Sequence, residues 1–210
     1  MVLNFNKMSA LNTSKIYHER QTRQLCALHT LNNLFQCKNS FTKEQLDEIC
    51  TNLNPSVWLN PHRSMLGLGN YDINVIMQAL QLRKCEACWF DKRKDPACID
   101  LQAIVGLILN VPSDYKLGFI TLPLHRRHWI AIREIDEKFY NLDSKLQMPE
   151  CLGNQEQLFN YLRQQLQTNE RELFVIIENG GANDSDTSKK WLKTNKEILT
   201  PSSSMNGHVS

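Results

Sequence analysis

The sequence lacks the long apolar stretches that mark membrane and secreted proteins. Its longest uninterrupted apolar run, residues 103–109, is far shorter than the roughly 20 residues with which an α-helix crosses a bilayer. Residues 1–14 contain no apolar segment of the kind that precedes a signal-peptide cleavage site. The chain therefore predicts no integral membrane segment and no secretion.

The sequence also lacks a strong charge imbalance, and no internal repeat is evident. Over 210 residues the formal charge is only +2 and the isoelectric point is near 8.1, which is too mild to indicate nucleic acid binding. The length suits one sizeable domain with a tail, and it is sufficient to bury a core. We expect a monomer without a nucleic acid partner.

The seven cysteines lack the even number and regular spacing of a disulfide framework. Free thiols in a reducing compartment explain them better, so we expect a cytoplasmic protein, with the nucleus as a second location. Cys85 and Cys88 have the spacing of a zinc or redox motif. On a strand, however, these two thiols point to opposite faces, and no second Cys or His pair accompanies them. We expect no metal site and no cofactor.

What the sequence does contain is a helical first half. Apolar residues recur at helical spacing in three early segments, residues 25–36, 42–53 and 73–82. Thr42 and Gln45 have the spacing of a capping box, and Asp72 is suited to cap the third helix. The second half is richer in strands.

Runs of β-branched or aromatic residues bounded by turn residues predict these strands, which cover residues 85–90, 118–122, 128–135, 138–143 and 173–178. Residues 154–167 predict a helix before the last strand. Residues 100–109 fit either type, and their length and initial Asp100 favour a helix. We predict an α+β fold in which N-terminal helices pack on a mainly antiparallel sheet.

The ordered domain is predicted to span residues 16–178. Residues 1–15 are polar and mixed, which predicts a flexible N-terminus. Residues 179–210 are rich in Gly, Asn, Asp, Ser and Lys, a composition that does not supply a core and predicts a disordered tail. Within that tail, Trp191 is either a docking residue or a stray tryptophan, and the sequence does not decide between the two.

Cys26 is the strongest candidate for a catalytic group. It opens an apolar, helix-like run in Gln21-Thr-Arg-Gln-Leu-Cys26-Ala-Leu-His-Thr-Leu-Asn-Asn-Leu-Phe35. Most cysteines in apolar helices are small core residues, but a first-turn thiol lies near the surface, beside unsatisfied backbone N–H groups. Their partial positive charge favours the thiolate, which is the nucleophile. We predict acyl transfer through Cys26.

A histidine and an acid follow on later strands, in the chain order of papain-like hydrolases. If residues 136–137 form a two-residue turn, Asp143 lies opposite Ile130 and diagonal to His128. Because strand side chains alternate, His128 and Asp143 then share one face, roughly 7–8 Å apart at Cα. A four-residue loop gives the same register, whereas a three-residue loop turns Asp143 to the wrong face. The register favours a pair in which Asp143 orients His128 as the base.

The oxyanion formed during acyl transfer needs hydrogen-bond donors. The Cys26 backbone N–H is one, and the side-chain amide of Gln21, five residues upstream, is a candidate second. In isolation Gln21 would be a solvent-exposed polar residue, and only its offset from Cys26 singles it out. His29 lies one helical turn after Cys26, a position that favours a packing or hydrogen-bonding role over that of the base.

Four blocks of the sequence resemble the Josephin-domain deubiquitinases. They are Ile16-Tyr-His-Glu-Arg-Gln21, Leu25-Cys-Ala-Leu-His-Thr-Leu-Asn-Asn-Leu-Phe-Gln36, His128-Trp129 and Asn141-Leu-Asp-Ser144. The resemblance covers about residues 16–178 and is closest to the short stand-alone Josephin-like proteins. It implies a papain-like cysteine protease fold with these assignments: Cys26 as nucleophile, His128 as base, Asp143 as orienting residue and Gln21 as oxyanion donor. Many Josephin domains carry Asn where this chain has Asp143.

The resemblance also implies a substrate. We expect cleavage of the isopeptide bond after the C-terminal glycine of ubiquitin, in ubiquitinated proteins or polyubiquitin chains. The competing hypothesis is a ubiquitin-binding adaptor that keeps the fold but hydrolyses slowly or only after activation. A papain-like acyltransferase or transglutaminase is disfavoured by the resemblance alone, because motif spacing does not reject it.

Overall fold

The structure is a computed structural model that describes residues 16–22, 24–53, 71–117, 120–179 and 191–193. The predicted flexible N-terminus and most of the predicted tail lie outside the described residues.

The α-helices of the described residues lie where the periodicity predicts them. They are α1 (Cys26–Phe35), α2 (Lys43–Leu53), α3 (Ile73–Leu82) and α4 (Gln155–Leu166). Two short 3₁₀ helices, Pro96–Cys98 and Leu101–Ala103, lie between α3 and the central strands. None of the helices described is both long and apolar enough to cross a bilayer.

Side-chain caps fix where two of these helices begin. The Thr42 N–H donates to Gln45 Oε1 (3.0 Å) and the Gln45 N–H donates to Thr42 Oγ1 (3.3 Å), which confirms the predicted capping box of α2. The Asp72 carboxylate accepts hydrogen bonds from the N–H groups of Asn74 and Val75 at the start of α3, also as predicted. Such caps typically contribute about 1 kcal/mol each.

Within the described residues, six strands form one antiparallel sheet in the order β1-β6-β2-β3-β4-β5. Their bounds are Cys85–Trp89 (β1), Gly106–Leu117 (β2), Ile120–Ile135 (β3), Lys138–Asn141 (β4), Glu150–Gly153 (β5) and Glu172–Glu178 (β6). Strand β3 joins two of the predicted strands, and β5 has no counterpart in the prediction. The predicted α+β fold is confirmed.

The helix favoured for residues 100–109 is wrong. One 3₁₀ turn, Leu101–Ala103, precedes β2, which begins at Gly106 and runs between β6 and β3. A strand buried on both faces is a continuous apolar run, which hydrophobic periodicity does not distinguish from a buried helix. Gly106 itself permits close packing, because a Cβ there would lie 2.8 Å from both the Ile132 carbonyl oxygen and the Leu34 side chain.

The sheet separates two hydrophobic cores. On one face α1, α2 and α3 pack against residues such as Ile108, Trp129 and Phe174. On the other face α4 packs against residues such as Leu109 and Ile130. Neighbouring residues of one strand therefore enter different cores, as strand alternation requires.

The β3–β4 hairpin has the predicted register. Ile135 pairs with Lys138 across a two-residue turn, and Ile132 pairs with Asn141. Asp136 and Glu137 have φ values of 50° and 62°, the left-handed conformations that a type I′ hairpin turn requires. The backbone N–H of residue 142 donates to the carbonyl of residue 131 (2.8 Å), so the same register continues beyond β4. Asp143 therefore lies on the same face of the sheet as His128.

A piece of the predicted tail docks on the domain. Trp191 is 5% exposed and its ring lies 6.1 Å from that of Phe90. The Asp100 N–H donates to the Trp191 carbonyl (2.8 Å), and the Lys193 N–H donates to the Cys98 carbonyl (2.9 Å). The prediction of a disordered tail therefore does not hold for residues 191–193. Composition misses such a contact because one buried tryptophan is enough to make it.

Replacing Trp191 by alanine is expected to lower the free energy of unfolding by about 3–5 kcal/mol, the usual loss for a large buried aromatic side chain. Urea unfolding followed by circular dichroism measures this loss. Trp89, at 59% exposure, supplies the matched control: Trp89→Ala should cost much less. Equal losses for the two variants would contradict the docking of Trp191.

Candidate active site

Cys26 is the first residue of α1, and two contacts fix this helix against the sheet. The Thr30 hydroxyl donates to the Trp129 carbonyl (2.8 Å), next to His128 in sequence. Near the other end of the helix, the Arg133 guanidinium donates to the Leu34 carbonyl. Both partners lie on β3, so the helix that carries the thiol and the strand that carries the imidazole are joined directly.

The local structure around Cys26 suits a nucleophile. The preceding residue, Leu25, has no side chain that can cap the helix, so first-turn N–H groups remain available beside the thiol. Cys26 is 4% exposed, which makes it more enclosed than the position near the surface that the sequence predicts. An enclosed thiol is reached only by a thin, extended piece of substrate.

His128 and Asp143 form the hydrogen-bonded pair that the hairpin register predicts. The His128 Nε2 atom lies 2.6 Å from Asp143 Oδ1, and His128 is 2% exposed. The Asp143 carboxylate is held in turn by the backbone N–H of Lys145, which donates to the same oxygen at 2.8 Å. This arrangement directs the other ring nitrogen, Nδ1, away from the acid.

The Nδ1 atom of His128 is buried and has no hydrogen bond of ordinary geometry with any described residue. Cys26 nevertheless lies close enough to favour the protonated imidazole. These two observations fit a thiol that approaches Nδ1 without a fully formed hydrogen bond. In space, His128 therefore lies between Cys26 and Asp143, as it also does in the order of the chain.

The electrostatics of this pair favour the charged forms. Burial alone would lower the pKa of His128, but the hydrogen bond to Asp143 and the neighbouring Cys26 outweigh it and raise that pKa. Burial likewise tends to raise the pKa of Asp143, but the His128 contact and the Lys145 N–H hold it below its ordinary value. The site therefore stabilises an imidazolium beside a carboxylate.

Gln21 is connected to the His128–Asp143 pair by hydrogen bonds to Ser144, the residue that follows Asp143. The Gln21 N–H donates to the Ser144 carbonyl (2.7 Å), and the Ser144 hydroxyl donates to Gln21 Oε1 (3.4 Å). His18 Nε2 also contacts the Asp143 carbonyl oxygen (3.0 Å). The structure thus links Gln21 through Ser144 to the His128–Asp143 pair, and Cys26 neighbours the same pair at His128.

His29 has the hydrogen-bonding role that its position predicts. Its Nδ1 atom lies 2.7 Å from Glu19 Oε2, and its Nε2 atom accepts from the Thr22 N–H (3.3 Å). Both ring nitrogens are thus occupied by partners other than the thiol.

The sequence predicts no role for Glu19 or Ser144, two of the residues that connect this site, whereas Asn33 is expected from it to cap or bridge backbone groups. Glu19, Asn33 and Ser144 make contacts that join its parts. One signal was available: polar residues recur on one face of the otherwise apolar α1, which indicates a buried surface that binds another piece of chain.

Cys85 and Cys88 lie on opposite faces of β1, as predicted. Cys85 belongs to the core under α1–α3, and Cys88 to the core under α4. Burial raises the pKa of both thiols, which disfavours the thiolate that binds metals. Within the described ranges, no group of three or more His, Cys, Asp or Glu side chains is arranged to hold a metal ion.

Comparison with known proteins matches residues 21–177 to the Josephin family. A Josephin-like protein of Drosophila melanogaster is 54% identical over 178 residues, which cover 84% of this chain and 80% of that protein. Josephin-2 of Homo sapiens is 45% identical over 179 residues, which cover 85% of this chain and 93% of Josephin-2. Ataxin-3 of Gallus gallus is more distant, at 23% identity over 145 residues, covering 66% of this chain and 39% of ataxin-3.

Proposed function

The chain belongs to the Josephin family, and from that premise we propose that it is a cysteine-type deubiquitinase. It cleaves the isopeptide bond after the C-terminal glycine of ubiquitin. Family membership supports a deubiquitinase-type function in general. The observation that supports hydrolysis by this particular chain is the 2.6 Å His128–Asp143 contact beside the first-turn Cys26.

The first half of the reaction forms a thioester. His128 Nδ1 takes the proton from the Cys26 sulfur, and the thiolate attacks the carbonyl carbon of the C-terminal glycine. The negative charge that develops on the carbonyl oxygen is stabilised by the Cys26 N–H and the Gln21 amide. His128 then gives its proton to the leaving lysine amine as the C–N bond breaks.

The second half of the reaction regenerates the enzyme. A water molecule loses a proton to His128 and attacks the thioester carbonyl, which expels the Cys26 sulfur and releases the ubiquitin carboxylate. Asp143 holds the imidazole in one orientation and stabilises its charged form through both halves. Every step uses side chains and backbone groups of this chain, and no step requires a metal or organic cofactor.

The proposal extends to partners and location. The binding partners are ubiquitin and ubiquitinated proteins or polyubiquitin chains, and the protein acts as a monomer that does not bind nucleic acid. The free thiols support a reducing compartment, so the proposed location is the cytoplasm, with the nucleus as a second location.

The proposal is tested with ubiquitin that carries an electrophile at its C-terminus. We expect a stoichiometric adduct of one ubiquitin per chain, mapped to Cys26 by mass spectrometry. The exposed thiols of Cys37 and Cys151 are internal controls, because chemical reactivity without recognition would label them instead. The same electrophile on a ubiquitin shortened by its last two residues should not react. Absence of a Cys26 adduct would overturn the proposal.

A second candidate function is a ubiquitin-binding adaptor with weak or conditionally activated hydrolysis. The observation that favours it is that the buried His128 Nδ1 atom has no hydrogen bond of ordinary geometry with any described residue. In that case the electrophile still labels Cys26, but turnover of di-ubiquitin is slow. The product distinguishes an acyltransferase from a hydrolase. An acyltransferase transfers ubiquitin to an added amine, whereas a hydrolase releases it as the free acid.

A further inference from the structure

One face of α1 is polar although the helix is almost entirely buried. His29, Asn32, Asn33 and, directly after the helix, Gln36 recur at the spacing of a single helix face. The first three are at most 8% exposed. Buried polar groups are unfavourable unless they form hydrogen bonds. All four bind the segment 17–22, which carries Gln21.

Glu19 is the centre of these contacts. Its carboxylate accepts from His29 Nδ1 (2.7 Å), from Asn32 Nδ2 (3.1 and 3.2 Å) and from the Tyr17 hydroxyl. Because the Thr22 N–H donates to His29 Nε2, the His29 proton lies on Nδ1, toward Glu19. The Glu19 carboxylate is thus surrounded by donors. Burial would raise its pKa, but the contacts with His29, Tyr17 and Asn32 lower it, so the ionised form is favoured.

Asn33 fixes the backbone of Glu19 as well. The Glu19 N–H donates to Asn33 Oδ1 (2.6 Å), and Asn33 Nδ2 donates to the Glu19 carbonyl (3.2 Å). The same Nδ2 group donates to the Leu142 carbonyl (3.0 Å), one residue before Asp143. One buried side chain therefore joins the nucleophile helix, the segment of Gln21 and the strand end that carries Asp143.

We infer that Glu19 is a positioning residue for Gln21. The Glu19 carboxylate holds the segment that places the Gln21 amide where the oxyanion forms. Glu19 precedes Gln21 by two residues, and His29 holds the segment on both sides of Gln21, at Glu19 and at Thr22. A displacement of a catalytic group by about 1 Å can slow a reaction about 10²-fold. The inference rests on the proposed function, because it requires acyl transfer at Cys26.

Glu19→Ala and Glu19→Gln test the inference. Glutamine has nearly the same shape, but its NH₂ group meets donors on every side, so we expect both variants to be impaired. The expected result is a kcat for di-ubiquitin cleavage lowered about 10- to 100-fold with KM changed by less than about twofold. Alkylation of Cys26 by iodoacetamide, followed by mass spectrometry, should proceed at the wild-type rate because alkylation forms no oxyanion.

A double-mutant cycle separates positioning from a general loss of structure. If Glu19 acts through Gln21, Glu19→Ala should change kcat by less than about twofold in a Gln21→Ala background. Additive losses would overturn the inference, as would Glu19→Ala with a wild-type kcat. Should Glu19→Ala not fold, Tyr17→Phe removes one donor to the carboxylate, and it should give a smaller kcat loss that likewise vanishes in the Gln21→Ala background.

Asp47→Ala is the matched control. Asp47 is also a partly buried carboxylate that accepts from side-chain donors, among them Tyr71 (2.8 Å) and Lys43 (2.5 Å), but it lies on α2. This variant should lower the melting temperature and leave kcat unchanged. Labelling of wild-type Cys26 by the ubiquitin electrophile reports on the proposed function separately. If labelling fails, function and inference fall together, whereas labelling with an active Glu19→Ala overturns the inference alone.

Discussion

Cys26→Ala is expected to abolish hydrolysis of di-ubiquitin and to leave ubiquitin binding largely intact. The expected loss is on the order of 10⁶-fold in kcat, as seen when the nucleophile of a catalytic triad is removed. Binding should persist because the sulfur contributes chemistry rather than contact area. At 4% exposure, it offers little surface to a folded partner. Gel-based cleavage measures the first quantity and titration calorimetry the second.

Cys50→Ala makes the same chemical change at another buried cysteine, on α2, and should retain activity. It controls for any general effect of removing a buried thiol. A Cys26→Ala protein that cleaves di-ubiquitin at a rate near wild type would show that the reaction does not pass through a thioester on this residue. Loss of binding together with activity would instead mean that the substitution disturbs the first turn of α1.

The candidate site could be predicted from the sequence where it depends on local geometry. The two-residue turn and strand alternation place His128 and Asp143 on one face, and the observed 2.6 Å contact follows from that register. The first turn of α1 likewise follows from the apolar run after Cys26. These features require only the rise per residue and the period of a helix or strand.

Features that depend on distant packing could not be predicted in this way. Residues 106–109 are a central strand because β6 and β3 bind on both sides, and a sequence window contains neither neighbour. Trp191 is buried by Phe90, about a hundred residues away. In the sequence Glu19 has no feature that sets it apart from other charged residues, and its role depends on the contact with His29 of α1. In each case the deciding partner lies ten or more residues away in sequence, and local propensity has no information about it.

Asp143→Asn is expected to be tolerated far better than Asp143→Ala. The Oδ1 atom accepts from both His128 Nε2 and the Lys145 N–H, and an asparagine oxygen can accept from the same two donors. Alanine removes both contacts and leaves the imidazole without its orienting partner. We expect a loss of roughly 10²–10⁴-fold for alanine, the range that a positioned general base contributes.

For asparagine the expected loss is about tenfold or less. Hydrogen bonds to charged groups are stronger than neutral ones by about 1 kcal/mol, and that difference corresponds to less than tenfold in rate. The uncapped N–H groups of the first turn of α1 lie beside Cys26 in either variant. Orientation, which asparagine keeps, should therefore matter more than the charge, which it loses. Initial rates of di-ubiquitin cleavage at saturating substrate measure both variants.

The loss of the Asp143 charge should instead change the pH dependence of kcat/KM. In the wild type, contacts with Asp143 and Cys26 raise the pKa of His128 against the effect of burial. Without the carboxylate that pKa falls, so the imidazolium loses its proton at a lower pH. The alkaline limb of the kcat/KM profile should therefore move to lower pH in Asp143→Asn. Equal and near-total losses in both variants would mean that the carboxylate charge is essential. Near-normal rates in both would mean that another group orients His128.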